Sequence, residues 1–239
     1  TINNITNICP CNFGFVAIAS SKIYIWGGNR SYKFDTNKTT VYDGSSTVFY
    51  NVSMVASSGY VGYGSDSAII IVRSMSDSNK AIFSTDILTS GPSASDYTTG
   101  ISSLTSYGNP LQNISNIVGN EGAFAILKTD GSVLTIGKQD YGGNNGQYFD
   151  DSGQKSVSSQ LTSGVTDIMA TNDGFIAFKS GSIVVWGGPY NGKPTYYNSS
   201  SNVAIYNSSN IIEGTFSKED IKFNSSGVAA KKSNGSVVL

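Results

Sequence analysis

Gly174-Phe175-Ile176-Ala177-Phe178-Lys179-Ser180-Gly181-Ser182-Ile183-Val184-Val185-Trp186-Gly187-Gly188 decides the fold of this chain. Two apolar runs, rich in Val, Ile and Phe and too short for helices, flank a Lys-Ser-Gly-Ser break. Glycine supplies the positive φ of a tight connection, so the stretch predicts a β-hairpin. The same pattern returns in Gly122-Ala123-Phe124-Ala125-Ile126-Leu127-Lys128-Thr129-Asp130-Gly131-Ser132-Val133-Leu134-Thr135-Ile136-Gly137. Further copies run from Gly14 to Gly28 and from Gly227 to Leu239, and Ala68-Ile69-Ile70-Ile71-Val72 with Ala81-Ile82-Phe83 is a degraded one.

Phe15, Ile69, Phe124, Phe175 and Val228 recur at steps of 54, 55, 51 and 53 residues. A period of about 50 belongs to propeller blades rather than to solenoid coils of about 20 to 30. Ahead of the hairpins stand Ile2, Ile5 and Ile8; Ile114 and Ile117; Val165 and Ile168; and Ile221 and Phe223, which predict a leading strand for each repeat. Strands are also expected at Thr47–Val55 and Ile101–Leu104, and a polar, turn-rich loop at Asn29–Asp43. The repeats fall near 1–54, 55–110, 111–160, 161–210 and 211–239. Runs such as Ile183-Val184-Val185-Trp186 are apolar on both faces, and no segment carries a helical period to cover them. The covers must then be other sheets, which predicts an all-β propeller of about five four-stranded blades: a complete ring, an incomplete piece of one, or an open array completed by a neighbouring chain.

Laid out this way, the chain resembles the regulator of chromosome condensation repeat family. The resemblance rests on Gly122 to Val133 with Gly137, on Ile183-Val184-Val185-Trp186-Gly187-Gly188, and on Tyr141-Gly142-Gly143-Asn144 followed by Ser159-Gln160-Leu161 and Gly164-Val165. It implies a propeller fold. Founding members of the family are seven-bladed, bind a small GTPase and chromatin, and promote nucleotide exchange. This chain has about five repeats and no basic surface, so the resemblance carries over the fold and not the exchange activity.

Composition narrows the partners. Among 239 residues only 13% are charged, against roughly 25% in an average domain. A formal net charge of −1 excludes the basic footprint of a nucleic-acid binder. No apolar run is long enough to span a bilayer. The chain has no His, so Ser-His-Asp and Cys-His catalysis are unavailable, and no phosphate-cradling Gly-Lys-Ser motif is present. No enzyme, cofactor or metal is expected. The acidic and amide loop Asp140–Asp151 lacks an EF-hand spacing and reads as a solvated turn, and Tyr60–Tyr63 and Tyr190–Tyr197 read as packing or contact residues with a capacity to stack on sugars.

Asn-x-Ser/Thr sequons stand at Asn4, Asn29, Asn37, Asn51, Asn113, Asn198, Asn207, Asn224 and Asn234. With so little charge to keep the surface solvated, they predict an N-glycosylated extracellular, cell-surface or virion-surface protein. The alternative source of these sequons is the richness in Asn, Ser and Thr itself. Cys9 and Cys11, in Cys9-Pro10-Cys11, read as bonds to partners outside the stretch, as two thiols, or as one strained local bridge. Thr1-Ile2-Asn3-Asn4-Ile5-Thr6 shows no initiator Met or signal pattern, and Leu239 stops inside a repeat, so the sequence reads as a piece of a longer chain. Together these features predict a self-associating structural or adhesive protein, a filament or surface-fibre subunit, with Thr1–Ile8 or Ser236–Leu239 as donated strands. The other readings are a glycan- or protein-binding propeller module and, further off, a GTPase exchange factor.

Overall fold

The structure, a computed structural model, describes residues 3–11, 14–19, 22–27, 40–42, 52–59, 67–74, 79–84, 113–143, 146–150, 153–187, 195–198, 203–206, 211–224 and 227–238. The chain is all-β and propeller-like, a succession of antiparallel sheets of three or four strands. The first holds β1 (Ile5–Cys11), β2 (Gly14–Ala19), β3 (Lys22–Gly27) and β4 (Thr40–Tyr42). The second holds β5 (Val52–Gly59), β6 (Ser67–Ser74) and β7 (Asn79–Ser84). The third holds β8 (Ile114–Gly119), β9 (Ala123–Lys128) and β10 (Val133–Gly137). A two-stranded ribbon follows, β11 (Gln147–Asp150) with β12 (Gly153–Ser156). The fourth sheet opens with β13 (Val165–Ala170), β14 (Gly174–Lys179) and β15 (Ser182–Gly187). After a second ribbon, β16 (Thr195–Asn198) with β17 (Val203–Tyr206), the strand β18 (Ile211–Glu213) returns to pair with β15. The fifth holds β19 (Ile221–Asn224), β20 (Gly227–Lys231) and β21 (Val237–Val238). The only helical pieces among the described residues are three 3-10 turns, and no helix is long and apolar enough to cross a membrane.

The leading strands abut in order: β1 lies against β5, β5 against β8, and β8 against β13. The sheets fan out from this row as blades from a hub. Each leading strand in the first four sheets carries a register shift at the same place, between Ile5 and Asn7, Val52 and Met54, Ile114 and Asn116, and Val165 and Asp167. A bulge of this kind re-aims the residue that follows it.

The central strands show why sheets cover sheets. In β9 and β14 every residue but the final Lys128 and Lys179 is buried. One face of β9, with Ala123, Ala125 and Leu127, packs on Val165, Ile168, Phe175, Ala177, Val184 and Trp186 of the fourth sheet. The other face of β14 and β15, with Ile176, Phe178, Ile183 and Val185, packs on Ile221 and Ala230 of the fifth. Alanines opposite aromatics set the spacing between sheets. Phe175 and Trp186 lie side by side, ring centroids 5.5 Å apart and planes tilted by 35°.

Several local expectations shift. The strand expected at Thr47–Val55 runs from Val52 to Gly59, so that its apolar residues meet β6 in register, and residues 43–51 lie outside the described residues. The Asn29–Asp43 loop contains β4, drawn into strand by pairing of Thr40–Tyr42 with Ile23–Ile25. The ribbons β11–β12 and β16–β17 occupy stretches read from sequence as loop or Tyr-rich contact segments, and among the described residues no cluster of three metal-ligating side chains forms. Residues 101–104 lie outside the described residues.

Candidate interaction surface

The surfaces with specific chemistry in this chain lie between repeats. At the hub, Asn116 Nδ2 donates to Asp167 Oδ1 at 3.0 Å, and Asp167 Oδ2 accepts from Lys218 Nζ at 2.8 Å. Asn116 and Asp167 each occupy the residue after the bulge, and each side chain also accepts the N–H of the next residue, Ile117 or Ile168, at 2.8 Å. The result is a polar ladder running from sheet three to sheet four and on toward sheet five.

Outward from the hub, Asn120 is buried and uses both ends of its amide. Oδ1 accepts from the N–H groups of Gly122 (3.0 Å) and Ala123 (2.8 Å), while Nδ2 donates to Tyr141 O (2.9 Å) and Gly174 O (3.3 Å). Thr171 is its counterpart in the next repeat, with Oγ1 accepting from Gly174 N at 3.0 Å. Trp186 Nε1 donates across the same interface to Gly142 O at 3.1 Å. Backbone bonds add stitches: Glu121 N to Asn172 O, Val133 N to Leu161 O, Val165 N to Gly131 O and Gly214 N to Gly181 O. Gly119 sits so close to the second sheet that a Cβ there would lie 2.0 Å from Ser57 O. Glu121 is partly desolvated, and this, with Asp173 beside it, holds its carboxyl above the ordinary range.

A shallow groove of about 450 Å³ opens where the β9–β10 turn meets the start of β13. Four of its polar side chains are already engaged. Ser115 Oγ donates to Leu127 O and Thr166 Oγ1 to Phe178 O. Asp130 Oδ1 accepts from the N–H and hydroxyl of Ser132, which brings its carboxyl down to about 2, and Lys128 Nζ lies 3.4 Å from Oδ2.

The sequons divide by position. Asn4 and Asn113 are exposed and left-handed, with φ of 58° and 60°. Gly164, with φ of 73°, fills the same place before β13. Asn and Gly are the residues that accept this conformation at least cost. The hydroxyls two residues on have a shared job: Thr6, Ser115 and Thr166 each donate to a carbonyl of the neighbouring strand, Ile18, Leu127 and Phe178. Asn-Ile-Thr and Asn-Ile-Ser are thus also what the start of a leading strand demands. Asn234 Oδ1 accepts from Ser236 N and Oγ as Asp130 does from Ser132. Asn198 and Asn224 end β16 and β19, and their side chains lie outside the described residues. Asn29, Asn37, Asn51 and Asn207 lie wholly outside them. Cys9 and Cys11 stand two apart in β1, opposite Val16 and Gly14, with side chains outside the described residues. A strand spaces alternate Cα atoms by about 6.6 Å, near the upper limit a mutual disulfide accepts.

The buried polar pair Asn120 and Thr171 and the ladder Asn116 and Asp167 were not singled out in the sequence. Their signal was available: each pair recurs at a spacing of 51 residues, the spacing of Phe124 and Phe175.

The first and fifth sheets differ from the third and fourth. Ile5, Ile8 and Phe15 are 45%, 53% and 45% exposed, whereas their register counterparts in sheets three and four are at most 6% exposed. In the fifth, Lys222 and Lys231 are exposed in places that Val118 or Met169 and Leu127 or Phe178 hold in the third and fourth.

No family model matches the chain, and no curated protein matches it. Among solved structures it is similar to human WBSCR16, at 17% identity and a TM-score of 0.44, over 77% of this chain and 47% of that one. It is also similar to the crystal structure of Kap60 bound to yeast RCC1 (Prp20), at 14% identity and a TM-score of 0.44, over 75% of this chain and 42% of that one. The chain spans less than half the length of either.

Proposed function

We propose that this chain is an extracellular, N-glycosylated building block, structural or adhesive, that associates with copies of itself as a subunit of a filament or surface fibre on a scaffold of the chromosome-condensation-regulator repeat type. One observation carries the reading: the first repeat presents Ile5, Ile8 and Phe15 half exposed, in places that repeats three and four bury completely or nearly so. An apolar face rimmed by polar residues marks a protein contact. The low charge and the nine sequons support a surface solvated by amides, hydroxyls and sugars. The absence of His, with the engagement of Ser115, Asp130 and Thr166 in the groove, favours assembly over catalysis.

Thr1–Ile8 and Ser236–Leu239 are the donated strands named from sequence; β1 pairs with β2 and β21 with β20, each as an outer strand of its sheet. Light scattering of the chain across a concentration series tests self-association, with growth in mass expected and a monomer throughout refuting it. Intact mass before and after glycosidase treatment tests the sugars, and identical masses in material from secreting cells would remove the extracellular assignment.

A further inference from the structure

The groove between sheets three and four lies beside a sequon. Asn113 is exposed, and its carbonyl accepts from Thr129 N at 2.8 Å, which pins the start of the leading strand to the β9–β10 turn. Ser115, the hydroxyl residue of the same sequon, lines the groove, and so does Thr129. A sugar on Asn113 is thus attached at the edge of the groove.

The groove offers what a saccharide needs. Its volume of about 450 Å³ falls within the roughly 300–1,000 Å³ of small-ligand sites. Ser115 Oγ and Thr166 Oγ1 donate to strand carbonyls, and each hydroxyl oxygen keeps lone pairs for a sugar hydroxyl. An ammonium has three N–H groups, and Lys128 Nζ spends one, on Asp130 Oδ2 at 3.4 Å. That long bond leaves Asp130 Oδ2 room to accept, whereas Oδ1 is filled by Ser132. Thr129 Oγ1 has no hydrogen-bond partner among the described residues. Gly131 and Gly164 line the groove without side chains. Donors and acceptors are mixed, as the hydroxyls and acetamido groups of an N-glycan core require. Lys128 and Asp130 balance in charge, which favours neither an anion nor a cation.

The next repeat supplies a contrast. Gly164, with φ of 73°, takes before β13 the place that Asn113, with φ of 60°, takes before β8. Glycine satisfies the backbone there, and repeat three instead holds the residue that can carry a sugar. We infer that the first sugar units of an Asn113 glycan lie in this groove, bonded to Lys128, Thr129 and the hydroxyls of Ser115 and Thr166, and so bridge sheets three and four. The inference rests on the N-glycosylation reading above and gives one of its sugars a seat.

The whole chain, secreted from eukaryotic cells, tests it. Glycopeptide mass spectrometry reads occupancy at Asn113. A peptide N-glycosidase is then applied to the folded protein, and release at Asn113 is timed in the wild type and in a Lys128→Ala, Thr129→Val double variant. The seat predicts release about tenfold faster in the variant, the yield of one or two net hydrogen bonds. Hydrogen exchange gives a second reading that needs no groove variant. Amides of residues 128–131 and 164–166 should exchange severalfold more slowly in the glycosylated wild type than in Asn113→Gly, which removes the sugar and suits the left-handed backbone. Equal release rates in folded proteins, or unchanged exchange, overturn the seat and leave the glycosylated reading standing. So does a bare Asn113 in a chain whose other sequons are occupied. A chain bare at all nine sequons overturns the glycosylated reading itself.

Discussion

Replacing Asn120 with alanine removes four hydrogen bonds from the interface between sheets three and four. The losses are unequal. Gly174 O also accepts from Thr171 N and keeps a partner, whereas the N–H groups of Gly122 and Ala123 lose the acceptor that held them. Asn120 is 7% exposed and Ala123 is fully buried, so water replaces that oxygen poorly. A buried donor left without a partner costs about 1–3 kcal/mol. Two such donors, partly relieved by relaxation, place Asn120→Ala about 3 kcal/mol below the wild type. Asn120→Thr should recover about half, because Thr171 shows that a hydroxyl at this position accepts one of these amides. Urea denaturation followed by Trp fluorescence reads the effect, since Trp186 lies across this interface. Hydrogen exchange at Gly122 and Ala123 locates it. An Asn120→Ala protein within about 0.5 kcal/mol of the wild type, with those amides still protected, would refute the bookkeeping.

Gly119→Ala should destabilise by about 3 kcal/mol, the upper range for overpacking, because its methyl would meet the Ser57 carbonyl; unchanged denaturation would show that sheets two and three part freely. Trp186→Phe keeps an aromatic beside Phe175 but loses the bond to Gly142 O and leaves a cavity, at a cost of about 2–3 kcal/mol. The check is the thermal unfolding midpoint. Asp130 titrates near 2 because Ser132 bonds its charged form. Its folded value is depressed, so the turn's stabilisation is present above the ordinary carboxylate value of 3.8 and is lost as pH falls through about 2. Ser132→Ala should move the carboxyl titration seen by NMR back toward that ordinary value, and Asp130→Asn should keep the turn at all pH, as Asn234 does in the fifth repeat.

The repeat was legible because its period is written in large residues. Phe124 and Phe175, with the glycines at the hairpin turns, announce central strands whatever lies around them. The outer strands were not legible. Thr40–Tyr42 and Ile211–Glu213 are three residues each and acquire strand conformation by pairing with β3 and β15. The ribbons escaped for a related reason: Gln147–Asp150 and Thr195–Asn198 are polar and short, and only a partner four residues long makes strands of them. The interface polar residues hid in plain composition, since an Asn in an Asn-rich chain draws no notice until its burial is known. The sequons carry two readings. Asn4-Ile5-Thr6 and Asn113-Ile114-Ser115 satisfy a backbone angle and a hydroxyl bond before any sugar is considered.

The stitches between neighbours, Val165 N to Gly131 O and Gly214 N to Gly181 O among them, connect only adjacent repeats. Order in such an array spreads from neighbour to neighbour, and a nucleus is cheapest where local contacts are densest. Folding should therefore begin around Ala123–Trp186 and spread from there to the repeats on either side.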